Sequence, residues 1–188
     1  MDGAQFDYFH GPVEEMSGLA QGERACTFCG RTGSCFSLEG EKYGCFDCLR
    51  QGRFYFAHQT EIGFLSPGEG LVPETSRQRK LARTFNRVHF AALLRTPQFV
   101  TWQGERWLVH CDDFMTYLGE WKPQAFQQNA PDGDGRKLFM GMFNEKELAA
   151  LWDEATPQDA RAPQDWSFHV HVFRCRHCGM LRGHWDCD

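Results

Sequence analysis

Cys26-Thr27-Phe28-Cys29-Gly30, and then, with fifteen residues between, Cys45-Phe46-Asp47-Cys48, is the stretch that decides how this chain is read. Two residues between paired cysteines allow a tight knuckle turn to aim both sulfurs at one point, while backbone amides in the turn donate to sulfur. Gly30 suits the left-handed position that such a turn ends on. Two knuckles facing one another make the tetrahedral four-thiolate set that structural Zn2+ prefers. With protein donors at all four positions no water is left to activate, so such a site organises the chain around it and does not catalyse.

The other cysteines agree with metal rather than disulfide. Six of the nine stand in Cys-x-x-Cys pairs, a pattern that inside a reducing compartment belongs to metal ligands. Redox dithiols share the spacing but usually carry one pair at the start of a helix, not three knuckles. The third pair, Cys175-Arg176-His177-Cys178-Gly179, supplies two ligands of a second site. Cys111 and His110 are its candidate partners, with His184 and Cys187 as remoter choices, and folding must bring residue 111 beside 175. Spacing alone also permits the pairing of Cys26 and Cys29 with Cys175 and Cys178. Cys35 and Cys187 stand outside the pairs.

The chain has 188 residues, with 17 Phe, 6 Trp and 41% hydrophobic residues, enough for a conventional core. No apolar run approaches the roughly 18–20 residues that cross a bilayer. The polar, acidic start lacks the parts of a signal peptide, so a cytoplasmic location is expected. The net charge of −5 is uneven: residues 26–110 carry eleven bases and seven acids, residues 111–166 eleven acids and five bases. An acidic balance disfavours wholesale nucleic-acid binding and favours a basic protein partner.

Outward from the cysteines, the pattern predicts an α+β fold. It has a zinc-knuckle-like unit with an aromatic strand over 1–65, and an α+β region over 66–188 that ends in a strand-turn-strand carrying Cys175 and Cys178; the two are expected to pack as one unit. Leu81, Phe85, Val88 and Ala92 predict the apolar face of one helix from Thr75 to about Leu94, stopped before Pro97. Gln98 to His110 predicts two strands. Asp112 or Asp113 would cap a short helix through Phe114, Tyr117 and Leu118 that ends at Gly119. Asn144 with Glu147 reads as a capping box for a helix through Leu148, Leu151, Trp152 and Ala155, followed by a polar loop over 156–165. Phe168 to Phe173 reads as a strand, with a last strand near Trp185.

Other chemistry is thinner. His169-x-His171 places two imidazoles on one strand face, read as polar positions of an amphipathic strand. A hydrolase reading would need these two with His110 and Asp113 around a second metal. Arg77, Arg79, Lys80, Arg83 and Arg87 give the predicted helix a basic face, read as solvated surface. There is no Gly-rich phosphate loop, no Gly-x-Ser-x-Gly elbow and no kinase signature.

Ordered along nearly the whole chain are Phe6-x-Tyr8-Phe9 with Pro12, the two early Cys-x-x-Cys pairs, and Arg95-Thr96-Pro97-x-Phe99-x-x-Trp102-Gln103. Trp107-Leu108-x-His110-Cys111-x-Asp113-Phe114 follows, then Phe173-Arg174-Cys175-x-His177-Cys178-Gly179 with Arg182, Asp186 and Asp188. In these motifs the sequence resembles the CbrC-like proteins, a bacterial family named for a colicin-tolerance phenotype. It departs from them at Met115, where the family usually has another cysteine, and over Leu49 to Phe64. The resemblance implies a non-catalytic zinc-binding immunity or tolerance protein that neutralises a bacterial toxin, of the nuclease class, through an acidic surface. A zinc-dependent nucleic-acid binder using the 77–87 helix is the alternative.

Overall fold

The computed structural model describes residues 6–143, 152 and 168–187. In chain order these form a 3-10 turn (Val13–Glu15), β1 (Arg24–Ala25), β2 (Thr32–Gly33), β3 (Cys35–Leu38), β4 (Lys42–Cys45), α1 (Phe46–Arg50), β5 (His58–Thr60), β6 (Gly63–Ser66) and β7 (Gly70–Val72). They continue with α2 (Ser76–Ala82), α3 (Arg87–Leu93), β8 (Val109–His110), β9 (Asp113–Phe114), β10 (Thr116–Glu120), α4 (Pro123–Asn129), α5 (Gly135–Met142), β11 (Phe168–Arg174) and β12 (Leu181–Cys187). The fold is α+β, as the sequence predicts. Among the described residues the sheets are small and antiparallel: three two-stranded pairs, the three-stranded β5-β6-β7, and the three-stranded β10-β11-β12.

The larger apolar cluster draws residues from both sides of residue 65, from Phe6 to Cys175. At its centre Tyr117 stacks on Phe99 at 4.4 Å between ring centroids, and Phe173 and Trp107 close edge-on around them. Aromatic pairs in these geometries add about 0.5–1.5 kcal/mol beyond area burial. The second cluster gathers Trp121, Phe126, Phe139, Trp152 and Phe168 under the last sheet.

Several local expectations give way to longer-range pairing. The helix expected from Thr75 to Leu94 is two helices. Thr75 caps α2 through a box with Gln78, and the Asn86 side chain accepts from the Val88 N–H to start α3 afresh. The buried side follows the second start: Leu93 is buried, Phe85 and Phe90 pack on the core, and Val88 is 59% exposed. The helix expected after Asp112 is instead strand, because Thr116–Glu120 pairs with β11 along its length. The two strands expected in Gln98–His110 reduce to β8 and isolated bridges at Phe99 and Trp107. α4 and α5 carry local signals that the sequence reading passed over, Pro123 in the first turn and an Asp134 cap accepting from the Lys137 N–H. β11 and β12 form where strands are expected. The box at Asn144, the helix through 148–155 and the loop over 156–165 lie outside the described residues except Trp152, which is helical and buried.

Candidate metal centres

The first centre is made by two turns of different kind. Cys26 and Cys29 stand in a knuckle between β1 and β2, closed by Gly30 N–H donating to the Cys26 carbonyl at 2.8 Å and Cys26 N–H to the Arg31 carbonyl at 2.9 Å. Gly30 has φ +74 with open space beside it, so the dihedral itself calls for glycine there. Cys45 ends β4 and precedes α1, whose first turn carries Cys48. The Cys45 N–H donates back to Cys26 Sγ at 3.3 Å.

Four sulfurs thereby meet within 4.8 Å of one another. Cys26 Sγ to Cys48 Sγ and Cys29 Sγ to Cys45 Sγ are both 3.7 Å. A tetrahedron with Zn–S bonds of about 2.3 Å has edges of about 3.8 Å, whereas a disulfide requires about 2.05 Å. The donor set fits a tetrahedral thiophilic ion. Cys26 and Cys48 are buried, and Cys29 and Cys45 half-buried.

The second centre repeats the knuckle. Gly179 N–H donates to the Cys175 carbonyl at 3.0 Å and Cys175 N–H to the Met180 carbonyl at 2.8 Å, the same two bonds at the same offsets. Gly179 has φ +75, matching Gly30. The facing pair comes from a tight hairpin. His110 and Asp113 are register partners across the β8–β9 turn, with Cys111 at φ +51 and Asp112 at φ +56 between them. Two consecutive positive φ values identify the primed turn whose twist matches a hairpin. Thr84 Oγ1 donates to Asp112 at 2.6 Å and braces the tip.

His110, Cys111, Cys175 and Cys178 offer four donors within 4.8 Å. His110 Nδ1 is 3.2 Å from Cys111 Sγ and 3.4 Å from Cys178 Sγ, and the two sulfurs are 4.0 Å apart. These lengths are close to the edges of about 3.6 and 3.8 Å expected for a Cys3His tetrahedron. Where the resembled family has a cysteine, Met115 is wholly buried in the core, and His110 supplies the fourth donor. This centre faces solvent, with Cys111 and Cys178 exposed. The two clusters also settle the pairing left open by spacing: Cys26 and Cys29 meet Cys45 and Cys48, not Cys175 and Cys178.

Each set contains a thiol made ready to ionise. The Arg31 backbone N–H and guanidinium bring Cys29 down to about 6. Burial opposes ionisation of Cys175, but the N–H groups of Cys178 and His177 bring it down to about 6. Burial pushes Cys45 and Cys48 up, and desolvation with the neighbouring thiols pushes Cys111 to about 11. Each set would hold a thiophilic cation through its four donors, and the bound charge would favour the thiolate form of the cysteines.

The other candidate residues go elsewhere. Asp113 is buried and receives Tyr8 Oη at 2.6 Å, with His89 Nδ1 at 2.9 Å and His177 Nε2 at 3.0 Å from it. It joins the second knuckle, the hairpin and the N-terminal segment, a hub with no local sequence signal. His169 Nδ1 is 3.0 Å from Glu120. His171, expected at a polar strand position, is buried between Tyr117 Oη at 3.3 Å and Asp186 at 3.3 Å. His110, Asp113, His169 and His171 are thus committed to separate partners. Asp186 also accepts from the Trp102 N–H at 2.9 Å, and Arg182 donates to both Glu61 oxygens at 2.7 and 2.9 Å. His184, at 6.3 Å from the His171 ring, and Cys187, beside Gln103, join neither cluster. No helix among the described residues is long and apolar enough to cross a membrane.

A search of solved structures gives no match. A UPF0167 protein of Pseudomonas aeruginosa is 30% identical over 94 residues, which cover 50% of this chain and 48% of that one. The chain thus spans about half the length of the curated relative it matches. The profile of the uncharacterised protein family UPF0167 matches residues 4–187, and the chain belongs to that family.

Proposed function

We propose that this chain is a non-catalytic zinc protein of the CbrC-like kind, which binds and neutralises a bacterial toxin effector of the nuclease class in the cytoplasm. The observation that carries the reading is that each metal cluster offers four protein donors. A sphere filled by thiolate and imidazole suits Zn2+ and leaves no position for a reacting water. The centres then hold surfaces in place, and recognition falls to those surfaces.

The resemblance of the motifs to colicin-tolerance proteins supplies the partner class, and the acidic balance of 111–166 supplies its sign. Within that segment Asp112 is exposed while Asp113 is buried, so the described part presents fewer free carboxylates than the sequence count. Nuclease toxins are basic where they grip phosphate, and an acidic partner speeds association and rejects wrong partners. Co-expression with the product of the neighbouring gene tests this. Rescue of growth and a stable co-purifying complex support it; undiminished toxicity with no complex removes it.

A second reading rests on Arg77, Arg79, Lys80, Arg83 and Arg87, all exposed on or beside α2 and α3, with no carboxylate partner among the described residues. These are the groups of a nucleic-acid binder. Filter binding across a salt series separates the readings, since phosphate-gripping proteins lose affinity steeply with salt.

A further inference from the structure

A cleft of about 560 Å3 opens where the N-terminal segment crosses the end of β11, lined by Phe6, Asp7, His10, Thr116, Arg174 and Arg176 among others. Its volume is within the range of small-molecule sites, about 300–1,000 Å3. Arg174 is the last residue of β11 and Arg176 lies in the second knuckle, on either side of Cys175 in the chain, and both line the cleft. Both are exposed, and neither pairs with a carboxylate among the described residues. Arg176 is held in place, its guanidinium 4.9 Å from the Tyr8 ring centroid, while Tyr8 is itself fixed by Asp113.

Thr116 is the register partner of Arg174 and is 3% exposed. It stands on the cleft lining beside Arg174. Burial first, and then the charge of Arg174 with a smaller part from Arg176, lowers the pKa of His10, which also stands on the lining. Asp7 on the lining opposes these charges and does not cancel two guanidiniums. Across the shared Phe6 and Asp7, a smaller hollow of about 170 Å3 is lined by Arg50 and Arg95.

We propose that this cleft binds a small phosphate-bearing molecule, with Arg174 and Arg176 gripping one phosphate group and the Thr116 hydroxyl donating to it. Guanidinium forks match phosphate oxygens bidentately. In the adjoining hollow Arg50 is paired with Asp47, which leaves Arg95 as the guanidinium there that a second phosphate group would meet. The site is separate from the toxin-binding reading and stands whether or not that reading does.

The test is calorimetric titration of the metal-loaded full chain at low salt. Inorganic phosphate, pyrophosphate, ADP, adenosine and succinate are the probes. Pyrophosphate is expected to bind at least tenfold more tightly than phosphate, and the Arg174→Ala/Arg176→Ala double variant to lose at least tenfold in affinity for both. A Lys42→Ala/Arg106→Ala control, both exposed and away from the cleft and from the basic face of α2 and α3, should bind as the parent does. Both pairs are exposed, and unchanged metal content and circular dichroism would show that each variant is folded. ADP binding as tightly as pyrophosphate assigns recognition to phosphate alone, and tighter binding assigns it to a nucleotide; either supports the site. Absence of binding at millimolar pyrophosphate, adenosine or succinate binding as well as pyrophosphate, or equal loss in the control pair would overturn it.

Discussion

The backbone N–H of Cys45 donates to the sulfur of Cys26 at 3.3 Å, tying the end of β4 to a knuckle nineteen positions earlier. The bond is what makes two short turns into one centre. It stabilises negative charge on Cys26, whose sulfur lies 3.7 Å from that of Cys48 in α1. Burial opposes ionisation of Cys26, and the N–H groups of Cys45, Phe28 and Cys29 outweigh it, lowering its pKa.

Replacing a ligand of this centre should therefore be severe. Cys29→Ser is expected to remove one ion per chain and most of the soluble protein, since binding energy at structural zinc sites, about 10–16 kcal/mol in small domains, is folding energy. Metal content and yield check it. A soluble variant that keeps its full metal would show Cys29 to be no ligand.

The second centre should behave differently because it faces solvent. Cys178→Ser should lower metal content from two ions to one while leaving the first centre loaded and the chain folded. Elemental analysis alongside circular dichroism reads both quantities. Loss of both ions together would mean that the centres are not independent.

Tyr8→Phe removes the hydroxyl that donates to buried Asp113 at 2.6 Å. Hydrogen bonds to charged groups are worth about 1.5–3 kcal/mol, so urea unfolding should show a loss of that order with an unchanged m-value. A loss under about 0.5 kcal/mol would place the stability of that junction elsewhere.

His184 gives a pH dependence of defined sign. Burial first, then the charges of His171 and Arg106, bring its pKa down to about 4, below an unfolded value of about 6.5. At pH 7.5 neither state binds the proton and nothing is lost. As pH falls below the unfolded value, the unfolded chain takes up a proton that the folded chain refuses, and stability drops until pH nears 4. Because the group is partly exposed, the loss between pH 7.5 and 5 should be about 1–2 kcal/mol. His184→Gln should shrink that acid loss by the same amount in denaturation measured at both pH values. An unaltered pH dependence would contradict the assignment.

How much could be read beforehand varies with how local the cause is. Cys-x-x-Cys with a following glycine is a local device, and both knuckles form where their spacing places them, down to the positive φ of Gly30 and Gly179. The partner of the second knuckle was legible only as a candidate. His110 and Cys111 reach it through a primed hairpin whose two turn residues are Cys111 and Asp112, without the glycine or asparagine that announces such a turn. The helix expected after Asp112 failed for the same reason. Thr116 to Glu120 is held as strand by β11, 51 to 58 residues further on, and tertiary pairing overrides local propensity. Asn86 was legible as a cap and went unread, so one helix stood where there are two. The hubs Asp113 and Asp186 collect partners from distant segments, and no spacing rule reveals a carboxylate that joins parts of the chain 84 or 105 residues apart.

X-ray absorption at the zinc edge, on the Cys111→Ser/Cys178→Ser variant purified from zinc-supplemented cells, examines the first centre alone. One ion per chain, ringed by four sulfur scatterers at about 2.3 Å and by no oxygen, is the predicted result. A metal-free protein, or an oxygen in the inner sphere marking a bound water, would contradict the account.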